Sequence, residues 1–276
     1  MSARVKFLGK LDEIALALRL GTLALSGVIA CLGAGAMTAQ TTAPQASSGS
    51  SVNANGPEMQ GPTMGDEVFT HVLFNQLEGR TDGSDSEMRW DGEGWIGMDM
   101  NRAWFKSEGF ATNGTVSDGD IEALYDRPLP RLRYFDGQVG VREDIASGPH
   151  RTWLALGIEG LAPGFFQFEP TVYFRDGGHV AGRITTSYDL LITQRLIAQP
   201  ELQMDFYSKS DSQRLTGTGL SDIDTGIQLR YDFSRKFAPY VGFAYNGKFG
   251  GTATFARRAG ESVLNSGFIF GFRVWY

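Results

Sequence analysis

The stretch Ser266-Gly267-Phe268-Ile269-Phe270-Gly271-Phe272-Arg273-Val274-Trp275-Tyr276 alternates strictly and ends on an aromatic residue. Phe268, Phe270, Phe272, Val274 and Tyr276 fall on one face, and Gly267, Ile269, Gly271, Arg273 and Trp275 on the other. A period of two over this length predicts the closing strand of an outer-membrane β-barrel. An Arg facing lipid at mid-membrane costs about 2–4 kcal/mol, so Arg273 is expected to face the lumen and the Phe/Val/Tyr face the lipid. An edge strand of a soluble sandwich would need a second sheet to cover that phenylalanine ladder.

Working upstream, segments of about ten alternating residues recur from Asp66 onward, separated by clusters of Gly, Asp, Asn, Ser and Pro. Twelve are predicted, at about 67–77, 87–98, 101–110, 120–127, 132–144, 152–161, 165–175, 181–193, 195–208, 221–233, 238–248 and 264–276. The fold class is therefore all-β: a closed antiparallel transmembrane β-barrel of twelve strands, preceded by a disordered N-terminal arm. Longer connections are expected around 111–119, 209–220 and 249–263, and Pro128 and Pro130 interrupt the pattern near 124–133. An even strand count places both ends of the barrel on the periplasmic side.

Residues 1–39 read as a secretory signal peptide, with a basic flank, an apolar run from Leu20 to Ala36 and small residues at the end. A lipoprotein signal around Val28-Ile29-Ala30-Cys31 is the alternative. The only cysteine, Cys31, lies in this segment, so disulfides and Cys metal clusters are excluded from the mature chain. Residues 40–65 are Thr, Ala, Ser, Asn, Gly, Pro and Gln with too little apolar content to fold, and read as a disordered periplasmic arm. The barrel occupies residues 66–276. No run of eighteen or more apolar residues follows the first forty, so no spanning helix is expected. The formal charge of -6 becomes -8 once the signal's net +2 is removed. That argues against nucleic acid and suits a lumen that attracts cations.

The same parity rule fills the lumen with both signs of charge. It sends Arg102, Trp104, Lys106 and Glu108 inward, with Asp136, Gln138, Arg142 and Asp144, then Glu169 and Arg175, Glu201 and Asp205, and Asp222, Asp224 and Arg230. These groups read either as a cross-strand ion network that holds the barrel's shape or as a negative path for a cation.

Several motifs in order resemble the copper resistance protein B family. They are Asn101-Arg102-Ala103-Trp104-Phe105-Lys106-Ser107-Glu108-Gly109, Tyr125-Asp126-Arg127, Phe135-Asp136-Gly137-Gln138-Val139-Gly140-Val141-Arg142, Gln199-Pro200-Glu201-Leu202-Gln203, Phe206-Tyr207-Ser208-Lys209, Gly219-Leu220-Ser221-Asp222-Ile223-Asp224 and Phe237-Ala238-Pro239-Tyr240-Val241-Gly242. The resemblance implies an outer-membrane barrel that binds copper ions, sequestering them or moving them across the membrane in copper resistance and homeostasis. It also implies a periplasmic copper carrier or oxidase as partner, with outer-membrane lipid around the barrel. Family members often carry a Met- and His-rich arm, whereas this arm offers Met59 and Met64 and no His.

Copper needs thioether or imidazole ligands, and the barrel is poor in both. The candidates are Met98 and Met100 of the Gly97-Met98-Asp99-Met100 run, His71, and Met59 and Met64 of the arm. If Arg89, Asp91 and Glu93 face the lumen, Ile96, Met98 and Met100 face lipid, unless a bulge at Gly92, Gly94 or Gly97 shifts the register. His71 is spaced to share a face with Glu67 and Asn75; His150 and His179 fall near turns. An outer-membrane hydrolase is a competing class, but it would need a His beside Ser or Asp, and no local nucleophile motif is present. A purely structural barrel is the third reading, and predicts no response to metal.

Overall fold

The computed structural model describes residues 68–82, 85–145 and 148–276. The expected signal segment with Cys31 and the expected arm with Met59 and Met64 lie outside the described residues. Twelve antiparallel strands follow in order: β1 (Phe69–Asp82), β2 (Asp85–Met98), β3 (Asn101–Thr112), β4 (Thr115–Pro128), β5 (Phe135–Asp144), β6 (Arg151–Ala162), β7 (Phe166–Arg175), β8 (His179–Ser187), β9 (Leu196–Tyr207), β10 (Gly219–Tyr231), β11 (Phe237–Lys248) and β12 (Leu264–Trp275). Each pairs with the next, and β12 returns to β1, so the sheet closes on itself. No helix of the described residues is long and apolar enough to cross a membrane.

The expected alternation holds on both faces. Phe268, Phe270, Phe272 and Tyr276 are exposed on the exterior, and Ile269 between them is buried. Val139 and Val141, Leu154 and Leu156, Val172 and Phe174, and Ile227 and Leu229 extend the same apolar band around the wall. Inside, Trp104, Leu124, Trp153, Ala155, Tyr173 and Ala181 make an apolar cluster on one wall, beneath a polar and charged filling. Tyr240, Ala244 and Ile269 make a smaller one opposite.

Three details depart from the sequence reading. The long connection expected at 111–119 does not exist. Strands β3 and β4 run on to a two-residue turn, Asn113–Gly114, whose φ values of 52° and 79° match the Asn-Gly preference of tight hairpins. The strand expected at 181–193 breaks after Ser187 and resumes as Leu190–Leu191, still pairing with β9. A bulge does form beside β2, but in β1 rather than at a β2 glycine: Phe74 pairs with Gly92 and Gln76 with Asp91, leaving Asn75 extra. Asn75 and Gln76 therefore both point into the lumen, and the faces of β2 stay as the alternation sets them.

Both described ends, Val68 and Tyr276, lie on one rim; the opposite rim carries the loops 208–218 and 249–263. Loop 208–218 leaves β9 and crosses the mouth. Arg214 donates to the Pro149 carbonyl at 3.2 Å, Gln213 accepts from Arg151 at 2.7 Å, and Asp211 lies 3.0 Å from Arg151 and 3.5 Å from Arg175. On its other side it packs against helix α1 (Gly250–Ala259). The Gly217 N–H donates to Thr252 Oγ1 at 2.8 Å, and a Cβ on Gly217 would fall 2.3 Å from the Thr252 nitrogen, so only glycine fits.

Two outcomes follow from this arrangement. Phe270→Arg, at mid-height on the exterior, is expected to lower stability in phospholipid vesicles by about 2–4 kcal/mol, measured by guanidinium titration. The Asp211 carboxyl is pushed up by partial burial, but the hydrogen bond and charge of Arg151 and the charge of Arg175 outweigh this and hold its pKa below the ordinary value. A lowered folded pKa contributes stability above the unfolded value of about 3.9, and that contribution is lost as pH falls through the folded value. The amide hydrogens of Arg214 and Thr216, both bonded to the Asp211 carbonyl, should therefore stay protected from exchange in the wild-type barrel down to about pH 4 and lose much of that protection in Asp211→Asn at neutral pH.

Candidate functional site

The strand alternation converges charged side chains on the lumen, where a cavity of about 380 Å³ opens along the walls of β1 to β4, β6 to β9 and β12. Four basic side chains line it: Arg89, Lys106, Arg183 and Arg273. Eight carboxylates line it too: Asp91, Glu93, Glu108, Asp120, Glu122, Glu159, Glu169 and Glu201. The excess of acid over base is the main electrostatic feature of the interior.

Towards the loop rim the charges pair densely. Arg183 on β8 binds Glu108 of β3, Asp120 of β4 at 3.1 Å and Asp205 of β9 at 2.9 Å. Arg142 on β5 reaches Asp120 at 3.0 Å and Asp144 at 2.9 Å, and lies over the Tyr173 ring at 4.6 Å. Arg89 and Arg80 both meet Asp224 across the lumen, at 3.1 and 2.9 Å. Trp153 donates to Asp144 at 2.9 Å and Tyr173 to Glu122 at 2.7 Å. Each cation is shared by carboxylates from several strands, which ties opposite walls together.

Towards the rim with Val68 and Tyr276, acid outnumbers base. The Lys106 ammonium sits 2.8 Å from Glu159 and 2.5 Å from Glu169, on either side of the β6–β7 junction. Here the ladder is interrupted between the Gly157–Thr171 and Gly160–Phe168 pairs, beside Pro170. Gln138 donates to Glu159 at 2.8 Å. Glu93 is the cross-strand neighbour of Lys106 but makes no ion pair among the described residues, and Asp91 is met by the neutral amide of Asn75 at 2.9 Å. Arg273, the residue whose orientation defined the barrel, lines the same cavity and stacks over Trp275 at 5.8 Å.

The sequence-predicted ligands do not converge on one point. Met98 and Met100 are exposed, the first on the outward face at the end of β2 and the second in the following turn. His71 lies on the inward register of β1 with its ring 6.2 Å from Trp95. His150 is exposed beside the Glu143 carboxylate at 3.6 Å, and His179 opens β8. Met88 and Met204 share the outward parity of their strands, so no thioether lines the lumen among the described residues. No group of three or more His, Cys, Asp or Glu is placed to hold a metal ion among the described residues. Arg183, Asp120 and Glu159 were not singled out from sequence. The signal for Asp120 lay in the alternation of Asp120, Glu122 and Asp126 against Ile121, Ala123 and Tyr125.

Residues 68–276 match the family described as copper resistance protein B precursor (CopB). The copper resistance protein B homolog of Pseudomonas syringae pv. tomato (strain ATCC BAA-871 / DC3000) is 37% identical over 209 residues, covering 76% of this chain and 70% of that protein. Copper resistance protein B of Escherichia coli is 37% identical over 219 residues, covering 79% and 73%. Among solved structures, the NanC porin aligns with a TM-score of 0.49 at 13% identity, over 75% of this chain and 99% of that one. The KdgM porin aligns at 0.43 and 12%, over 74% and 98%. The chain belongs to the copper resistance protein B family, and it is a β-barrel of the outer membrane.

Proposed function

We propose that this barrel serves copper resistance by drawing copper ions into its acidic lumen, sequestering them or moving them across the outer membrane. The observation that carries the reading is the cavity wall, with eight carboxylates against four basic groups. Carboxylate oxygens suit a hydrated cupric ion better than Cu(I), which prefers sulfur. Within the described residues the lumen offers the former and no thioether. Met98 and Met100 at the rim of Val68 and Tyr276 are candidate soft ligands for Cu(I), His71 is a borderline ligand just inside, and Met59 and Met64, outside the described residues, are further candidates. That arrangement suits exchange of copper with a periplasmic copper carrier or oxidase. A hydrolase reading gains nothing here, because none of His71, His150 and His179 hydrogen-bonds a serine among the described residues.

The test compares cupric-ion uptake into vesicles carrying the full mature chain, followed by an entrapped copper-quenched dye. The wild type should exceed empty vesicles, and Glu93→Gln with Glu159→Gln should cut the difference several-fold, while Lys106 keeps Glu169 as its partner. Met98→Leu with Met100→Leu should leave Cu(II) entry unchanged and weaken Cu(I) binding measured anaerobically. Uptake no greater than that of empty vesicles, or equal uptake by the Glu variant, would refute the lumen as the copper path.

A further inference from the structure

The turn between β4 and β5 carries an arrangement that the lumen does not use. Arg127 leaves the end of β4 on the outward parity set by the exposed Ile121 and Tyr125, and Arg131 and Arg133 are exposed in the turn that follows. None of the three makes an ion pair, a hydrogen bond or a ring contact among the described residues. The acids beside them in sequence cannot serve. Asp126 and Asp136 face the lumen, where Arg102 holds them at 3.5 and 3.0 Å. Three exposed guanidinium groups within seven residues are thus left without a counter-charge.

The turn is rigid. The Leu129 N–H donates to the Phe135 carbonyl at 3.0 Å, Leu132 to Leu129 at 3.1 Å and Phe135 to Leu132 at 2.9 Å. Pro128 and Pro130 fix φ on either side of Leu129, whose side chain packs over Gly137. The guanidinium groups are interleaved with exposed apolar groups: Tyr125, Leu132 and Tyr134, the last 71% exposed. Tyr125 continues the outward band of Ile121, Val139 and Val141, and Leu132 and Tyr134 are exposed in the turn beside it, so the arginines stand where an apolar wall meets water. Tyrosines of this kind sit at headgroup depth, and planar guanidinium groups bind phosphate in pairs of hydrogen bonds.

We propose that the Arg127–Arg133 turn is a docking surface for the phosphate groups of anionic phospholipids, in the leaflet at the rim that carries Val68 and Tyr276. Continuity of Tyr125 with the apolar band favours a lipid over an acidic protein, because a soluble partner would have to cover Tyr125 at the edge of that band. The proposal rests on the membrane location of the barrel and is independent of the copper reading.

The full mature chain in zwitterionic detergent is titrated with cardiolipin and, separately, with phosphatidylcholine, with bound lipid counted by native mass spectrometry. The wild type should bind cardiolipin well above phosphatidylcholine. Each arginine near an anionic surface is worth about fivefold in affinity, so Arg127→Gln, Arg131→Gln and Arg133→Gln together should weaken cardiolipin binding on the order of a hundredfold. Arg257→Gln with Arg258→Gln on the opposite rim should leave it unchanged, and heat-modifiable gel migration should confirm that both variants are folded. Equal affinity of wild type for the two lipids, or undiminished cardiolipin binding by the triple variant, overturns the proposal. So does a wild type that prefers polyglutamate to cardiolipin, since the surface would then be a protein-docking one.

Discussion

Everything in this molecule depends on the seam where β1 meets β12. Hydrocarbon offers no hydrogen-bond partners, so each unpaired backbone group at membrane depth costs several kcal/mol, and an open sheet edge is not tolerated. The seam closes by antiparallel pairing from Leu73–Trp275 to Arg80–Ile269, and the chain end is fastened by reciprocal bonds between Val72 and Tyr276 at 3.1 and 2.9 Å. Once the edge is gone, the strand period allows only two kinds of position, and every side chain must suit either lipid or lumen. The phenylalanine ladder of β12 and Arg273 beside it are the two solutions side by side.

Closure also decides how the interior is stabilised. Charges enclosed by the wall lose bulk water and are stable only when several partners surround each one. Arg183 and Arg142 meet this requirement with carboxylates drawn from β3, β4, β5 and β9, so the half of the lumen near the loops is held as a cross-braced layer. The other half is not balanced in the same way. Lys106 is the cation between Glu159 and Glu169, Glu93 has no ion pair among the described residues, and the result is a local surplus of negative charge. One barrel thus separates a cross-braced layer from a region whose acids outnumber their cationic partners.

The fold was readable because the parity signal is strong wherever an apolar residue stands between charged ones. Asp222, Asp224 and Arg230 against Ile223, Ile227 and Leu229 leave no other assignment, and the structure agrees. Features without parity were harder to read. Asn113–Gly114 is a hairpin signal, but the mostly polar residues of 115–120 after it have the composition of a loop and hide the strand that continues through them. The crossing of the mouth by loop 208–218 depends on where Arg151 and Arg175 stand in space, and nothing local in 208–218 encodes that. The candidate site was half legible: alternation identified inward carboxylates, but which of them lack a cation depends on partners from distant strands.

The β1 bulge shows why that last distinction matters. In a regular strand only one of Asn75 and Gln76 would face the lumen, and the other would put an amide against lipid. With the extra residue both point inward: Asn75 donates to Asp91 at 2.9 Å and Gln76 to Glu201 at 2.6 Å, while Phe74 and Leu77 on either side keep the outward parity. A neutral amide orients a carboxylate without cancelling its charge, as an arginine in the same place would. Asp91 has no other hydrogen-bond partner among the described residues, and Glu201 shares Arg89 only at 3.5 Å. The bulge therefore fixes two acidic groups of the cavity in position through neutral amides that do not cancel their charge.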